Sequence, residues 1–384
     1  MDQLSDSYAL YNQPVVIDNG SGIIKAGFSG EERPKALEYC LVGNTKYDKV
    51  MLEGLQGDTF IGNNAQKLRG LLKLRYPIKH GVVEDWDSME LIWSYVLNEV
   101  LQLQNIGEHP LLITEAPMNP LKNREQMAQV LFETFDVSAL YVSNPAVLSL
   151  YASGRTTGCV VDCGEGYCST VPIYDGFALP ASMMRMDIGG ADITEQLQFQ
   201  LRKSAGVSLF SSSEREIVRT MKEKVCYLAK NIKKEEEKYL QGTQDLISTF
   251  KLPDGRCIEV GNDRYRAPEI LFSPQIIGLG YDGLSDMCMQ SIWKVDLDLR
   301  KPLLSSIILS GGTTTLKGFG DRMLWDLEAL TKGTSKIKII APSERKYTTW
   351  IGGSILTGLS TFQRLWTKKS DWLEDSTRVY SNLM

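Results

Sequence analysis

One stretch occurs twice, and that repetition limits what this chain can fold into. The first copy is Val15-Val16-Ile17-Asp18-Asn19-Gly20-Ser21-Gly22. The second is Cys159-Val160-Val161-Asp162-Cys163-Gly164-Glu165-Gly166, 144 residues later if Asp162 is set on Asp18. Each is three apolar residues, an acid, one further residue and a Gly-x-Gly turn. Val15, Val16 and Ile17 are β-branched and favour a strand. The glycines allow positive φ and close backbone approach. A lone copy describes a plain hairpin as well as it describes a phosphate-binding turn. Two copies in one register suggest two similar domains facing each other across a cleft. A third strand-then-glycine turn follows at Ile307-Ile308-Leu309-Ser310-Gly311-Gly312-Thr313.

Gly-rich turns after strands present backbone N–H groups to phosphate oxygens. Two such turns could clamp the β- and γ-phosphates of a nucleotide from opposite walls, with Lys25 next to the first. Asp18 and Asp162 would then hold Mg²⁺, mostly through waters, because Mg²⁺ keeps much of its hydration shell. Gly311, Gly312 and Thr313 would offer a flat backbone to ribose and base.

The remaining bulk features fit an α/β chain of more than one domain. A length of 384 residues is long for a single core. A net charge of −5 provides no global attraction to nucleic acid or anionic membrane. No apolar run reaches the ~18 residues of a membrane span, and the polar start, Met1 to Ser7, does not read as a secretory signal. Seven cysteines, an odd number, fit reduced thiols in a cytosolic or nuclear compartment. Cys163 and Cys168 lack a second nearby pair, so structural zinc is not expected. With only His80 and His109 present, His-based metal sites and Ser-His-Asp catalysis have little to draw on.

Along the chain, residues 15–28 read as two strands around a turn, and 39–62 as a small lobe with a mobile loop at 45–57. Helical spacing runs through 86–104 and 121–135. Trp86 and Trp93 read as core. Residues 110–115 form a buried-strand pattern ending in a polar pair. Asn144-Pro145 starts a helix, since Asn caps and Pro is preorganised for the first position. Residues 211–230 form a helix capped by Ser212 or Ser213. The run of Lys233, Lys234 and Lys238 with Glu235 to Glu237 is a solvated face. The apolar but Gly/Pro-broken stretch 270–281 is either core filler or an exposed plug. Strands are expected at 305–310 and 336–340, and a final helix from Trp350.

Long strings in the chain resemble actin and the actin-related proteins over essentially the whole length. They are Ile17 to Gly22, Thr114 to Pro117, Ala146 to Gly158, Leu309 to Thr314 and Trp350 to Leu356. Lys317 to Arg322 and Arg264 to Glu269 lean toward the centractin branch, which builds the short filament of dynactin. The resemblance implies an actin-like ATPase fold of two duplicated lobes, or four subdomains, around a nucleotide cleft. Subdomain 1 would be 1–39, 77–151 and 348–384, and subdomain 2 would be 40–76. Subdomain 3 would be 152–188 and 280–347, and subdomain 4 would be 189–279.

Carried over by position, the phosphates of ATP or ADP fall on Gly20, Ser21, Gly22, Lys25, Gly164, Glu165 and Gly166, and the Mg²⁺ on Asp18 and Asp162. Base and ribose fall on Gly190, Lys222, Glu223, Gly311, Gly312, Thr313 and Lys346. The loop at 45–57 resembles the segment that docks into the next filament subunit, and 272–281 resembles a cross-strand plug. Tyr151, Leu356, Leu359 and Thr361 line the cleft that would receive that loop or a partner helix.

Several positions depart from the family. Pro145 replaces the glutamine that orients water, and Ser169 replaces the histidine of the second hairpin. Cys163, Glu165 and Leu316 replace a serine, an aspartate and a tyrosine. An orienting group contributes a factor of about 10²–10⁴, so nucleotide binding with slow or absent hydrolysis is expected. The implied role is a self-associating, short-filament scaffold with other dynactin subunits and dynein. It would serve microtubule-based movement, in the cytoplasm and cytoskeleton, without nucleic acid or membrane insertion. The other readings are a conventional or chromatin-associated actin relative and an actin-fold kinase or ATPase.

Overall fold

A computed structural model describes residues 12–46, 59–243, 246–333 and 335–383. The expected loop at 45–57 lies outside these residues beyond Lys46.

The duplication seen in the sequence is also a duplication of hydrogen-bonded backbone. Strand Val15–Asn19 pairs antiparallel with Ile23–Phe28, with Val15 opposite Phe28 and Asp18 opposite Lys25. Strand Gly158–Cys163 pairs antiparallel with Cys168–Tyr174, with Cys159 opposite Pro172 and Asp162 opposite Ser169. The same 144-residue offset maps every one of these pairs onto its counterpart. On the other side, Val15–Asn19 runs parallel to Leu111–Thr114, and Gly158–Cys163 runs parallel to Ile307–Ser310.

Two six-stranded sheets result. The first has the order Thr367–Lys368, Ala139–Ser143, Leu111–Thr114, Val15–Asn19, Ile23–Phe28 and Ala36–Tyr39. The second has the order Phe177–Ala178, Cys168–Tyr174, Gly158–Cys163, Ile307–Ser310 and Ile339–Ile340, with Met184–Met186 also on Cys168–Tyr174.

Burial fixes these registers. Val15 and Ile17 point into one core cluster and Val16 into another, and all three are almost wholly buried. Cys159 and Val161 alternate with Val160 in the same way. Each buried aliphatic side chain is worth roughly 1.5–3 kcal/mol. A one-residue slip would turn the whole set to the wrong faces. The strands are covered on both sides, as parallel strands usually are.

Two helices carry the chain between the sheets. Pro145–Ala152 leads from the first to the second, and Thr348–Thr357 leads back. They pack together closely: a Cβ on Gly352 would lie 1.8 Å from the Leu148 carbonyl oxygen. A small sheet of Thr59–Ile61, Val42–Thr45 and Leu72–Arg75, with helix Gly62–Lys67, forms an arm above the first lobe. Helix Ser212–Val225 of the second lobe faces it.

Most local expectations hold. The segment expected as 86–104 is helix Trp86–Ser94, continued by a wider π turn to Val100. Trp93 is fully buried. Asn144 caps Pro145–Ala152 by accepting from the Ala146 N–H at 2.9 Å. The cap of Ser212–Val225 is Ser211, not Ser212 or Ser213. Its box with Glu214 satisfies donors at both positions, which places the helix start one residue early. The strand expected at 336–340 forms only at Ile339–Ile340. The 270–281 stretch divides: Ile270, Leu271 and Phe272 are core, whereas Ile276, Leu279 and Tyr281 are exposed. No helix among the described residues is long and apolar enough to cross a membrane.

Candidate functional site

The two Gly-x-Gly turns meet face to face at the base of a cleft of about 1210 Å³ between the lobes. Their contact leaves no room for side chains. A Cβ on Gly22 would lie 2.9 Å from the Glu165 Cβ, and one on Gly166 would lie 2.6 Å from the Ser21 Oγ. Gly164 and Gly312 differ: their φ values are ordinary, and a Cβ there would meet nothing closer than 3.9 Å. At these two, glycine keeps the cleft clear, as expected where a ligand lies against backbone.

The two acids stand at matching strand ends. Asp18 is 6% exposed and Asp162 8%. Lys25 Nζ lies 2.6 Å from Asp18 Oδ2, and Thr114 Oγ1 donates to Asp18 Oδ1 at 3.0 Å. Asp162 has Ser169 at the position that Lys25 occupies beside Asp18. Burial, reinforced by the Asp18 charge, raises the Asp162 carboxyl to about 6, against the pull of Ser310 and Lys25. Ser169 is fully buried, and its hydroxyl has no hydrogen-bond partner among the described residues. A pair of buried acids with one adjacent ammonium calls for more positive charge. A divalent cation close to both carboxylates fits that need.

Gly311 takes φ +86°, and a Cβ there would lie 2.3 Å from the Cys163 carbonyl oxygen, so this turn requires glycine. Thr313 Oγ1 donates to the Gly164 carbonyl at 2.7 Å, joining the third turn to the second. Lys222 Nζ donates to the Gly190 carbonyl at 2.6 Å and lies 3.5 Å from Glu165 Oε2. Behind the second turn, Arg185 donates to the carbonyls of Pro117 (2.9 Å) and His80 (2.5 Å). Its guanidinium sits 5.1 Å from the Tyr167 ring centroid. His80 Nδ1 lies 2.8 Å from the Gly166 carbonyl oxygen.

Of the residues singled out from sequence, one cleft brings together Asp18, Gly20, Ser21, Gly22, Lys25, Pro145, Asp162, Gly164, Glu165 and Gly166. It also brings in Lys222, Glu223, Gly311, Gly312, Thr313, Leu316 and Lys346. Three positions are not on its wall: Cys163, which is fully buried in the second lobe's core, Gly190 and Ser169. Gly190 lies behind Glu165 and Thr313, where a Cβ would sit 2.5 Å from the Glu165 carboxylate. Ser169 is fully buried on the strand beside Asp162. Thr114, Tyr39, Tyr76, Glu216 and Arg219 line the cleft and were not singled out. The 216, 219 and 223 spacing on one helix face was the available signal for the last two.

Two lobes with matched sheets, joined by paired crossover helices and closing glycine turns over two acids, define the actin-type ATPase fold. The Actin family's sequence profile matches residues 9–382. The chain is also similar to an "Actin-like protein" of Neurospora crassa, with 51% identity over 376 residues, 97% of this chain and 98% of the relative. The chain belongs to the actin family.

Proposed function

We propose that the chain is a filament-forming subunit that holds ATP or ADP with Mg²⁺ as a structural ligand and turns it over slowly. The observation that carries this reading is the pair of register-matched hairpins whose turns interlock beneath two buried acids. Backbone N–H groups of Gly20 to Gly22 and Gly164 to Gly166, with Lys25, would hold the phosphates. Asp18 and Asp162 would hold the cation through its waters. Lys222, Glu223, Gly311, Gly312, Thr313 and Lys346 would enclose ribose and base, with Gly190 supporting Lys222 from behind. Bound Mg²⁺ supplies charge neutralisation to the phosphates.

Slow turnover rests on two side chains. Pro145 opens its helix at the cleft wall, and its side chain has no group that can hydrogen-bond a water. Ser169 is fully buried and does not line the cleft. In-line attack depends on a placed water, and neither residue places one.

The finer role is a scaffold of the dynactin filament that supports cytoplasmic dynein. What supports it is the pair of strings at 264–269 and 317–322. In such a filament the subunits repeat head to tail through a heterologous interface. Electron microscopy of the purified protein with Mg-ATP tests this role. Short filaments of limited length are expected. Long filaments would point to conventional actin behaviour, and monomers under all conditions to a kinase-like or chromatin role.

A further inference from the structure

The arm above the first lobe differs in charge from the rest of the molecule. Its described residues, 40–46 and 59–76, contain Lys46, Lys67, Arg69, Lys73 and Arg75 and no Asp or Glu. The whole chain carries −5 and these residues +5, so the remainder carries −10. Lys46, Lys67, Lys73 and Arg75 are exposed. None of the five cations forms an ion pair with a described carboxylate.

Sheet register gathers three of them on one face. Lys73 lies opposite Asn44, and Arg75 lies opposite Val42. Lys46 donates its N–H to the Leu71 carbonyl at 3.3 Å, which carries the ladder one pair further. Successive strand residues point to opposite faces. Leu72 and Leu74 turn inward, where they pack with Ala65 of helix Gly62–Lys67. Leu71, Lys73, Arg75, Asn44 and Lys46 therefore share the outward face, and Leu71 is 45% exposed there. Arg75 Nη2 donates to Asn44 Oδ1 at 2.8 Å, and Lys46 Nζ donates to the Gly70 carbonyl at 3.1 Å. These bonds hold two cations in place on a strand that is the edge of its sheet. A lysine on an edge strand also guards against edge-to-edge pairing. That accounts for Lys73 alone and not for an arm whose described residues include no acid.

We infer that this face docks an acidic, extended peptide segment of a partner protein. Lys73 and Arg75 stand roughly 6–7 Å apart, the two-residue rise of a strand. Alternate carboxylates of an extended chain meet them in step, and Leu71 offers an apolar contact to the next side chain in line. A broad anionic surface fits less well. A membrane or a long nucleic acid would reach past the arm to the −10 carried elsewhere and be repelled. Bases would also find no ring to stack on, because Phe60, opposite Gly43, is turned to the inner face. The inference does not depend on the nucleotide reading above.

The test is fluorescence anisotropy of a labelled peptide with glutamate at every second position, titrated with the full-length protein. The same peptide with glutamine in place of glutamate is the control. The glutamate peptide should bind and the glutamine peptide should not. Raising NaCl from about 0.05 M to about 0.2 M should weaken binding several-fold. Lys73→Glu turns attraction into repulsion and should weaken binding about tenfold. Lys73→Gln, which only removes the charge, should give a smaller loss in the same direction. Lys301→Glu makes the same charge change on an exposed lysine of helix Leu297–Leu304 in the second lobe and should leave binding unchanged. Thermal unfolding of each variant reports folding independently. No binding of the glutamate peptide, or equal affinity in wild type and both Lys73 variants, would overturn the inference. So would phosphatidylserine vesicles or a single-stranded RNA that bind the wild type more tightly than the peptide and lose that binding in Lys73→Glu.

Discussion

The hairpin around Asp18 and the hairpin around Asp162 share strand register, turn length and position at the base of the cleft. Their side chains treat the acid differently. Asp18 is held by an ammonium at 2.6 Å and by the Thr114 hydroxyl. Asp162 has an orphaned serine in place of the ammonium, and burial keeps its proton on until about pH 6. The arginine on that side, Arg185, pairs with Asp187 and reaches across to the other lobe's carbonyls. Backbone geometry alone therefore does not set what a glycine turn does. The first hairpin has its own counter-charge, and the second depends on what enters the cleft. This division suits a protein that retains a ligand and fits fast phosphate chemistry poorly.

Substitutions at the paired positions would break or sharpen this contrast. Lys25→Ala leaves a nearly buried carboxylate without its cation and should cost about 3 kcal/mol, read as a lower midpoint in urea unfolding of the ligand-free protein. A loss below about 1 kcal/mol would mean that the first acid needs its partner no more than the second does. Next in size is the double change Pro145→Gln with Ser169→His, which adds two groups able to orient water. It should raise phosphate release by roughly 10²-fold. No gain would place the cause of slow turnover outside these positions.

The pH dependence comes next. Asp162 must lose its proton to meet a cation, so apparent Mg²⁺ affinity should fall about tenfold per unit as pH drops below about 6. Stability of the ligand-free protein has the opposite sign. The folded carboxyl holds its proton more tightly than the unfolded one, so this group's contribution is present at low pH and is lost as pH rises through about 6. Calorimetric Mg²⁺ titrations and urea melts between about pH 5 and 8 would show both trends. The smallest effect belongs to Ser169→Ala, which removes a hydroxyl that has no partner. Its stability change should stay within about 1 kcal/mol of zero, or favour the variant. A larger loss would reveal a buried water or ligand on that hydroxyl.

Much of this was legible in the residues because the duplicated motif is local. A continuous apolar run and the Asp-x-Gly-x-Gly spacing mark strand and turn within about eight residues, so the facing hairpins followed from one comparison of the chain with itself. Asn144-Pro145 gave a helix start for the same reason. What sequence could not give was long-range geometry. Nothing local says that Gln66 and Tyr76 meet Glu216 about 140–150 residues on, or that Ser169 is sealed off while Lys25 is not. Gly190 was assigned to the pocket by position, and nothing local says that Glu165, Thr313 and Lys222 crowd around it. The choice of Ser211 over its two neighbours as helix cap depends on which serine's φ and ψ leave the helix, and three successive serines do not reveal that.

The central claim is that these two unequal hairpins retain a nucleotide without consuming it quickly. Its most direct test is to load the purified protein with Mg-ATP, remove free nucleotide, and quantify bound ATP and ADP chromatographically over several hours. The account predicts about one adenine nucleotide per chain, with ATP persisting for much of that time. A chain that retains no nucleotide, or converts it at the pace of ordinary filament-forming actin, would contradict it.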